Sequence, residues 1–237
     1  RQKLRRETLH GLESGVGERA EMGRLVARRI VGRHLATMGR LGIGYDLLTH
    51  ESDILGLDFF SVAFELLKAT GAVVLEAEGK NAGCWVMPLE GTPEFAGLED
   101  PDKVIVRSDG TVTYVGKDIA YQLWKFGLLG KDFAYRYWRE AGLWVTAREG
   151  AEDHPAFGRG ANVINVIDAR QSYLQKIVRA GLSALGHHDA AARSVHFAYE
   201  MVTLSPATAK ALGYLAAEGD EGRAMEMSGR KGIGVKA

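Results

Sequence analysis

The chain has one cysteine, Cys84, among 237 residues. That excludes a disulfide framework and a cysteine-cluster metal site, and it suits a reducing, cytoplasmic setting. Net charge is also missing: 30 Lys and Arg balance 30 Asp and Glu. Nothing in the bulk charge advertises a nucleic-acid partner, although a local basic patch remains open. No apolar run approaches the roughly 18 residues of a membrane helix. The opening RQKLRRETLHGLESG has no apolar signal-peptide core behind it, so no membrane partner is expected. Internal repeats and low-complexity linkers are absent too. What is there is a 46% hydrophobic composition, enough for one large domain, or one domain with a small satellite.

Periodicity divides the chain. Met22, Leu25, Val26, Ile30, Leu35 and Met38 recur at helical spacing over 17–40. Arg24, Arg28, Arg29 and Arg33 make the opposite stripe, either a solvated face or a contact for a phosphate backbone. A second helix is predicted over 58–70, stopped by Gly71. Residues 73–77 and 84–88 read as short strands. Val104 and Val106 start another, Asp109-Gly110 is a tight turn, and Thr111–Val115 reads as the returning strand. Asp118 then opens a helix, with an acid at its positive end. Residues 162–168, NVINVID, form an apolar run of the kind that is covered on both faces. A helix follows from Gln171 to Leu185, then a strand over 196–204 and a polar stretch with one helix. This order predicts half of an open, mostly parallel α/β sheet with its ligand at the carboxyl ends of the strands.

The sequence closes on MSGRKGIGVKA, Met227 to Ala237. Gly229 and Gly232 let backbone N–H groups approach an anion. Ser228 can donate to a phosphate oxygen, and Arg230 and Lys231 can offset its charge. The plainer alternative is an exposed cationic turn. The G-x-x-x-x-G-K-[ST] phosphate loop is absent. His187-His188 lack a third ligand and make a poor zinc site, so no protein-ligated metal is expected.

Met227 to Gly232 resembles the signature loop of class I aminoacyl-tRNA synthetases, in the MS-x-R-x-G form used by arginyl-tRNA synthetases. Three further segments agree in order. SDGTVTYVGKDIA resembles that family's DGT-x-x-Y-x-x-x-D-x-A, with Asp109, Gly110, Thr111, Tyr114, Asp118 and Ala120 in place. NVIDARQSY resembles the turn that carries a pocket glutamine, and HFAYEMV the strand leading to the loop. LGIGYDLLTHESDIL (41–55) resembles the helical connection between the family's two half-sheets. The resemblance implies an α/β fold: the second half of a Rossmann-like catalytic domain over 101–237, ending at the signature loop. Residues 1–100 become a helical connecting segment with short strands near 73–88.

The implied activity joins arginine to tRNA(Arg) with ATP, Mg2+ accompanying the nucleotide, in a monomer. Tyr114, Asp118 and Gln171 would bind arginine. Its guanidinium has five donors and no acceptor, so an acid suits it. On residue chemistry alone Asp118 could equally be a helix-terminal acid, Tyr114 a core residue and Gln171 a surface one. His196, Met201 and Val202 would lie beside the adenosine, with Met227, Ser228, Gly229, Arg230, Lys231 and Gly232 around the phosphates. Ser228, Arg230 and Lys231 carry the catalytic role. Glu226 and Gly229 replace two lysines of the common form of the loop. No H-x-G-H motif occurs. Together with the start at Arg1, this reads as a segment of a longer ligase, inactive alone. The other readings are a stand-alone arginine- or nucleotide-binding module, and another class I synthetase, against which Asp118 argues.

Overall fold

Helix α1 (Glu18–Arg40) forms where the spacing predicts it, with Glu18 and Glu21 in its first turn and Arg40 in its last, the order that the helix dipole favours. The computed structural model describes residues 4, 7–8, 11–12, 15–97, 101–214 and 224–227, without the side chain at 55. The apolar stripe of α1 does not face a core: Met22, Leu25, Val26 and Ile30 are exposed and Ala20 is buried. The helix meets the rest of its unit through a cation instead. Arg28 lies 5.1 Å from the centroid of the Trp138 ring and 3.3 Å from Glu140, while Arg24 donates to the Gly15 carbonyl at 2.9 Å. The arginine stripe is therefore partly an internal contact.

After α1 come β1 (Leu47–Leu48), α2 (Glu51–Gly56), α3 (Phe59–Ala69), β2 (Val74–Leu75), β3 (Trp85–Met87), β4 (Lys103–Val106) and α4 (Tyr114–Lys125). The hairpin β5 (Ala134–Trp138) and β6 (Leu143–Ala147) follows, then β7 (Val163–Asp168), α5 (Ser172–Ala184), α6 (His188–Ala192), β8 (Ser194–Tyr199), β9 (Thr203–Leu204), α7 (Pro206–Ala211) and β10 (Met225–Glu226). The chain divides into two units. One is Arg1–Ile164 with Leu174–Val195; the other is Asn165–Tyr173 with His196–Ala237.

The class is mixed α/β, but one continuous parallel sheet does not emerge among the described residues. The strands fall into four small sheets: β1-β6-β5, β2-β3-β4, β7-β8 and β9-β10. β1 runs parallel to β6, whereas β5–β6 and β2–β3–β4 are antiparallel. β7 and β8 are neighbours. The prediction that 162–168 is covered on both sides is corrected: Val163 and Asn165 are buried, while Ile164 and Val166 are exposed. Nothing among the described residues lies over that second face. The strand expected over 196–204 is broken into β8 and β9.

A second correction concerns Thr111–Val115. The Asp109-Gly110 turn is present, with Thr111 N–H bound to Asp109 Oδ1 at 2.9 Å and Gly110 at φ 82°. The return, however, is a single bridge from Val112 to Val106. Thr113 Oγ1 then donates to the carbonyls of Val104 and Ile105, and the helix starts at Tyr114. Asp118 is therefore in the second turn of α4 and does not open it. The β-branched run looked like a strand, but Val115, Ile119 and Leu123, all buried, follow helical spacing.

The core of this unit is α4 against α3. Phe59, Phe60, Ala63 and Leu67 meet the buried side of α4, and Phe59 stacks on Phe133 at 4.1 Å between ring centroids. Gly116 makes the approach possible: a Cβ there would lie 2.7 Å from Phe60 Cε2 and 3.2 Å from Ile105 Cγ2 and Val112 Cγ1. Gly-to-Ala in a helix interior ordinarily gains up to about 1 kcal/mol, but overpacking costs about 1–3 kcal/mol, and the crowding wins. Gly116→Ala should lower unfolding free energy by roughly 1–2 kcal/mol in a urea titration; a variant as stable as the parent would contradict this packing.

Candidate functional site

One face of α4 carries Tyr114, Asp118, Tyr121 and Lys125, the i, i+4, i+7 and i+11 positions that stack on one side of a helix. The opposite face is the buried one just described. The β1–α2 turn lies alongside the Asp118 face. Thr49 Oγ1 and the Tyr121 hydroxyl are hydrogen-bonded at 2.8 Å, and Lys117 Nζ lies 3.2 Å from Glu51 Oε1. The turn is held from behind. Leu47 and Leu48 pair with Trp144 and Val145. The buried Thr146 hydroxyl accepts from the His50 N–H at 2.9 Å and donates to Asp53 Oδ2 at 2.7 Å. Glu51 is thus presented between two pinned residues.

Asp118 is unusual for an acid on an exposed face. Desolvation by the surrounding protein pushes its carboxyl up from the ordinary 3.8 to about 6; Lys125 opposes this, Glu51 adds repulsion and Lys117 opposes it again. Solvent still reaches the residue, so water screens part of the effect. Desolvation lowers Lys125 from 10.5 to about 8, with Asp118 pulling it back. The Lys125 ammonium lies 4.4 Å from the centroid of the Tyr121 ring, and that ring stacks on Trp124. Two carboxylates, two ammoniums and two phenol rings therefore share one surface. Tyr114 is 73% exposed, open to a ligand, and the core alternative for it falls away.

The second unit holds the other candidates. Gln171 ends a 3-10 turn, Ala169–Gln171, capped by the Asp168 carboxylate, which accepts from the Arg170 N–H. Arg170 is shared between Asp168 Oδ1 at 3.1 Å and Glu226 Oε1 at 3.0 Å. Its hydrogen bond holds the Asp168 carboxyl below the ordinary carboxylate range. His196 Nε2 is 2.9 Å from the Ile167 carbonyl, so this nitrogen carries the proton. Met201 and Val202 lie between β8 and β9, Val202 exposed. Met227 follows β10, which pairs with β9. Ser228, Gly229, Arg230, Lys231 and Gly232 lie outside the described residues. Tyr114 and Asp118 thus share one helix face, and Gln171, His196, Met201, Val202 and Met227 belong to the other unit.

No protein-family model matches the chain. Curated relatives do. The chain is 43% identical over 202 residues to the arginine–tRNA ligase of Thermococcus kodakarensis, covering 83% of this chain and 31% of that protein. It is 38% identical over 236 residues to that of Deinococcus radiodurans, covering 95% and 35%. Among solved structures, the arginyl-tRNA synthetase of Thermus thermophilus matches with a TM-score of 0.73 and 40% identity, over 86% of this chain and 33% of that one. The chain belongs to the arginyl-tRNA synthetase family. It spans about a third of the length of the curated relatives it matches.

Within this synthetase segment, sequence reading passed over Glu51, Lys117, Tyr121 and Lys125. Lys117, Tyr121 and Lys125 were legible in principle: once 114–125 is a helix, Tyr121 and Lys125 fall on the Asp118 stripe. Glu51 was not, because its place depends on the parallel β1–β6 pair, which joins distant parts of the chain with Leu47 and Trp144 in register. Among the described residues, no group of three His, Cys, Asp or Glu could hold a metal ion, and no helix is long and apolar enough to cross a membrane.

The Asp118 shift has a stability consequence. Its folded pKa, about 6, is above the ordinary 3.8, so the folded state keeps a proton that the unfolded chain releases. The stability it contributes is complete below pH 3.8 and is lost as pH rises through about 6. Asp118→Asn should therefore raise the melting temperature at pH 7, with the gain fading toward pH 4. A melting temperature that falls at pH 7 would contradict it.

Proposed function

We propose that this segment supplies the guanidinium-recognition surface and the phosphate loop of an arginine–tRNA ligase. The observation that carries the reading is the α4 face: Tyr114 and Asp118 one turn apart with Glu51 beside them, in a chain of this family. A guanidinium is a planar fork of donors that pairs with carboxylates and stacks on aromatic rings. Asp118 and Glu51 accept its N–H groups and the Tyr114 ring gives it a face. Gln171 offers the ligand a neutral carbonyl.

In the first step the arginine carboxylate oxygen attacks the α-phosphorus of ATP. A new P–O bond forms, the bond to the β-phosphate oxygen breaks, and pyrophosphate leaves. Mg2+ enters with ATP as part of the substrate. Ser228, Arg230 and Lys231 stabilise charge on the phosphate oxygens, and Met227, Gly229 and Gly232 shape the loop so that its amides approach them. His196, Met201 and Val202 border the adenosine. In the second step a hydroxyl of the terminal adenosine of tRNA(Arg) attacks the acyl carbonyl and AMP leaves. Residues 101–237 act here as the second half of a Rossmann-like catalytic domain and 1–100 as its connecting segment, within a monomeric, cytoplasmic enzyme.

The test uses a protein of the relatives' full length carrying this segment, assayed by ATP–pyrophosphate exchange with tRNA present. Asp118→Asn keeps the shape and removes the charge. A hydrogen bond to a charged group is worth about 1.5–3 kcal/mol, so KM for arginine should rise about tenfold to a hundredfold while KM for ATP stays within about twofold. An unchanged KM for arginine would refute the assignment.

A further inference from the structure

Lys117 is largely covered where a helix-surface lysine usually reaches for water. Its side chain is 13% exposed, while that of its partner Glu51 is 62% exposed. Its ammonium is 3.2 Å from Glu51 Oε1 and 5.4 Å from the centroid of the Tyr114 ring. A carboxylate and an aromatic face are the two acceptors that a guanidinium needs. We infer that Lys117 is a resident counter-ion: in the free protein its ammonium occupies the place that the substrate guanidinium takes, and binding displaces it. The inference rests on the arginine reading of this face.

Charge balance supports the displacement. Glu51 and Asp118 are matched by Lys117 and Lys125, so an added cation leaves the cluster with an excess positive charge. One lysine has to move. Lys125 is half-buried against the stacked Tyr121–Trp124 pair and is the worse candidate. Lys117 has a four-carbon stem and its partner carboxylate faces solvent, so its ammonium can swing out. The exchange favours arginine because an ammonium is a point charge and a guanidinium forms two parallel hydrogen bonds to a carboxylate. The resident cation lowers the apparent affinity of every guanidinium ligand by the same factor, since each must expel it.

The test measures arginine binding by calorimetry to a full-length protein carrying this segment. Lys117→Met keeps the apolar stem and removes the competitor. It should tighten arginine and agmatine by the same factor, about two- to fivefold, the range that a partly exposed ion pair supports, with a smaller gain at high salt. In the unmutated protein, saturating arginine should increase acylation of Lys117 by an amine-reactive ester, read by mass spectrometry. Linkage requires this: if Lys117 opposes arginine, arginine must expel Lys117. An affinity that is unchanged or weaker in Lys117→Met, or protection of Lys117 by arginine, overturns the inference. If Lys117→Met does not fold, the labelling result decides. Glu51→Gln and Asp118→Asn separate the two levels. Weakened arginine binding in both, with no gain in Lys117→Met, removes the resident cation and leaves the arginine reading standing. Unchanged binding in both removes the two together.

Discussion

Helix α4 comes as close to α3 as it does because position 116 has no side chain. Phe60, Ile105 and Val112 fill the space where a Cβ would be. That contact settles which way the helix is turned. With Val115, Ile119 and Leu123 inward, Tyr114, Asp118, Tyr121 and Lys125 point away from the core as one stripe. The β1–α2 turn then needs only a short reach to bring Glu51 and Thr49 against that stripe, and Thr146 holds it there from β6. A rotation of α4 by one residue, about 100°, would bury Asp118 and leave the carboxylates on different surfaces.

The charges on this face do little for the fold. An aspartate pushed up toward pH 6 beside a second carboxylate is a burden at neutral pH, and a lysine lowered to about 8 is another. Each partly relieves the other, and the Tyr121 ring gives Lys125 an acceptor face. Strained ionisation of this kind concentrates at binding sites. The second unit uses the same economy of ion pairs differently: Arg170 ties the turn before Gln171 to β10, which leads to Met227.

Local signals in the sequence were sufficient for α1, α3, β2, β3, β4 and the Asp109-Gly110 turn, each of which rests on a periodic or turn pattern in one continuous stretch. They failed where neighbours in space decide. Thr111–Val115 has strand-like residues, yet the helix wins because Val115 and Gly116 have a core to enter. Ile164 and Val166 read as buried and are exposed, since strand burial depends on what lies over the sheet. The hairpin 134–147 was passed over although Tyr135 is wholly buried and its hydroxyl donates to Asp132. Of the candidate site, Tyr114 and Asp118 were legible through one motif, because four residues on a helix make one face. Glu51 needed a strand pairing that no local pattern announces. The loop from Ser228 to Gly232 lies outside the described residues.

The most direct measurement is a crystal structure of a full-length protein carrying this segment with L-arginine bound. The guanidinium nitrogens should lie within hydrogen-bonding distance of the Asp118 and Glu51 carboxylates, about 2.7–2.9 Å, with the Tyr114 ring against the guanidinium plane. A guanidinium bound elsewhere, with Asp118 and Glu51 facing water, would contradict the account.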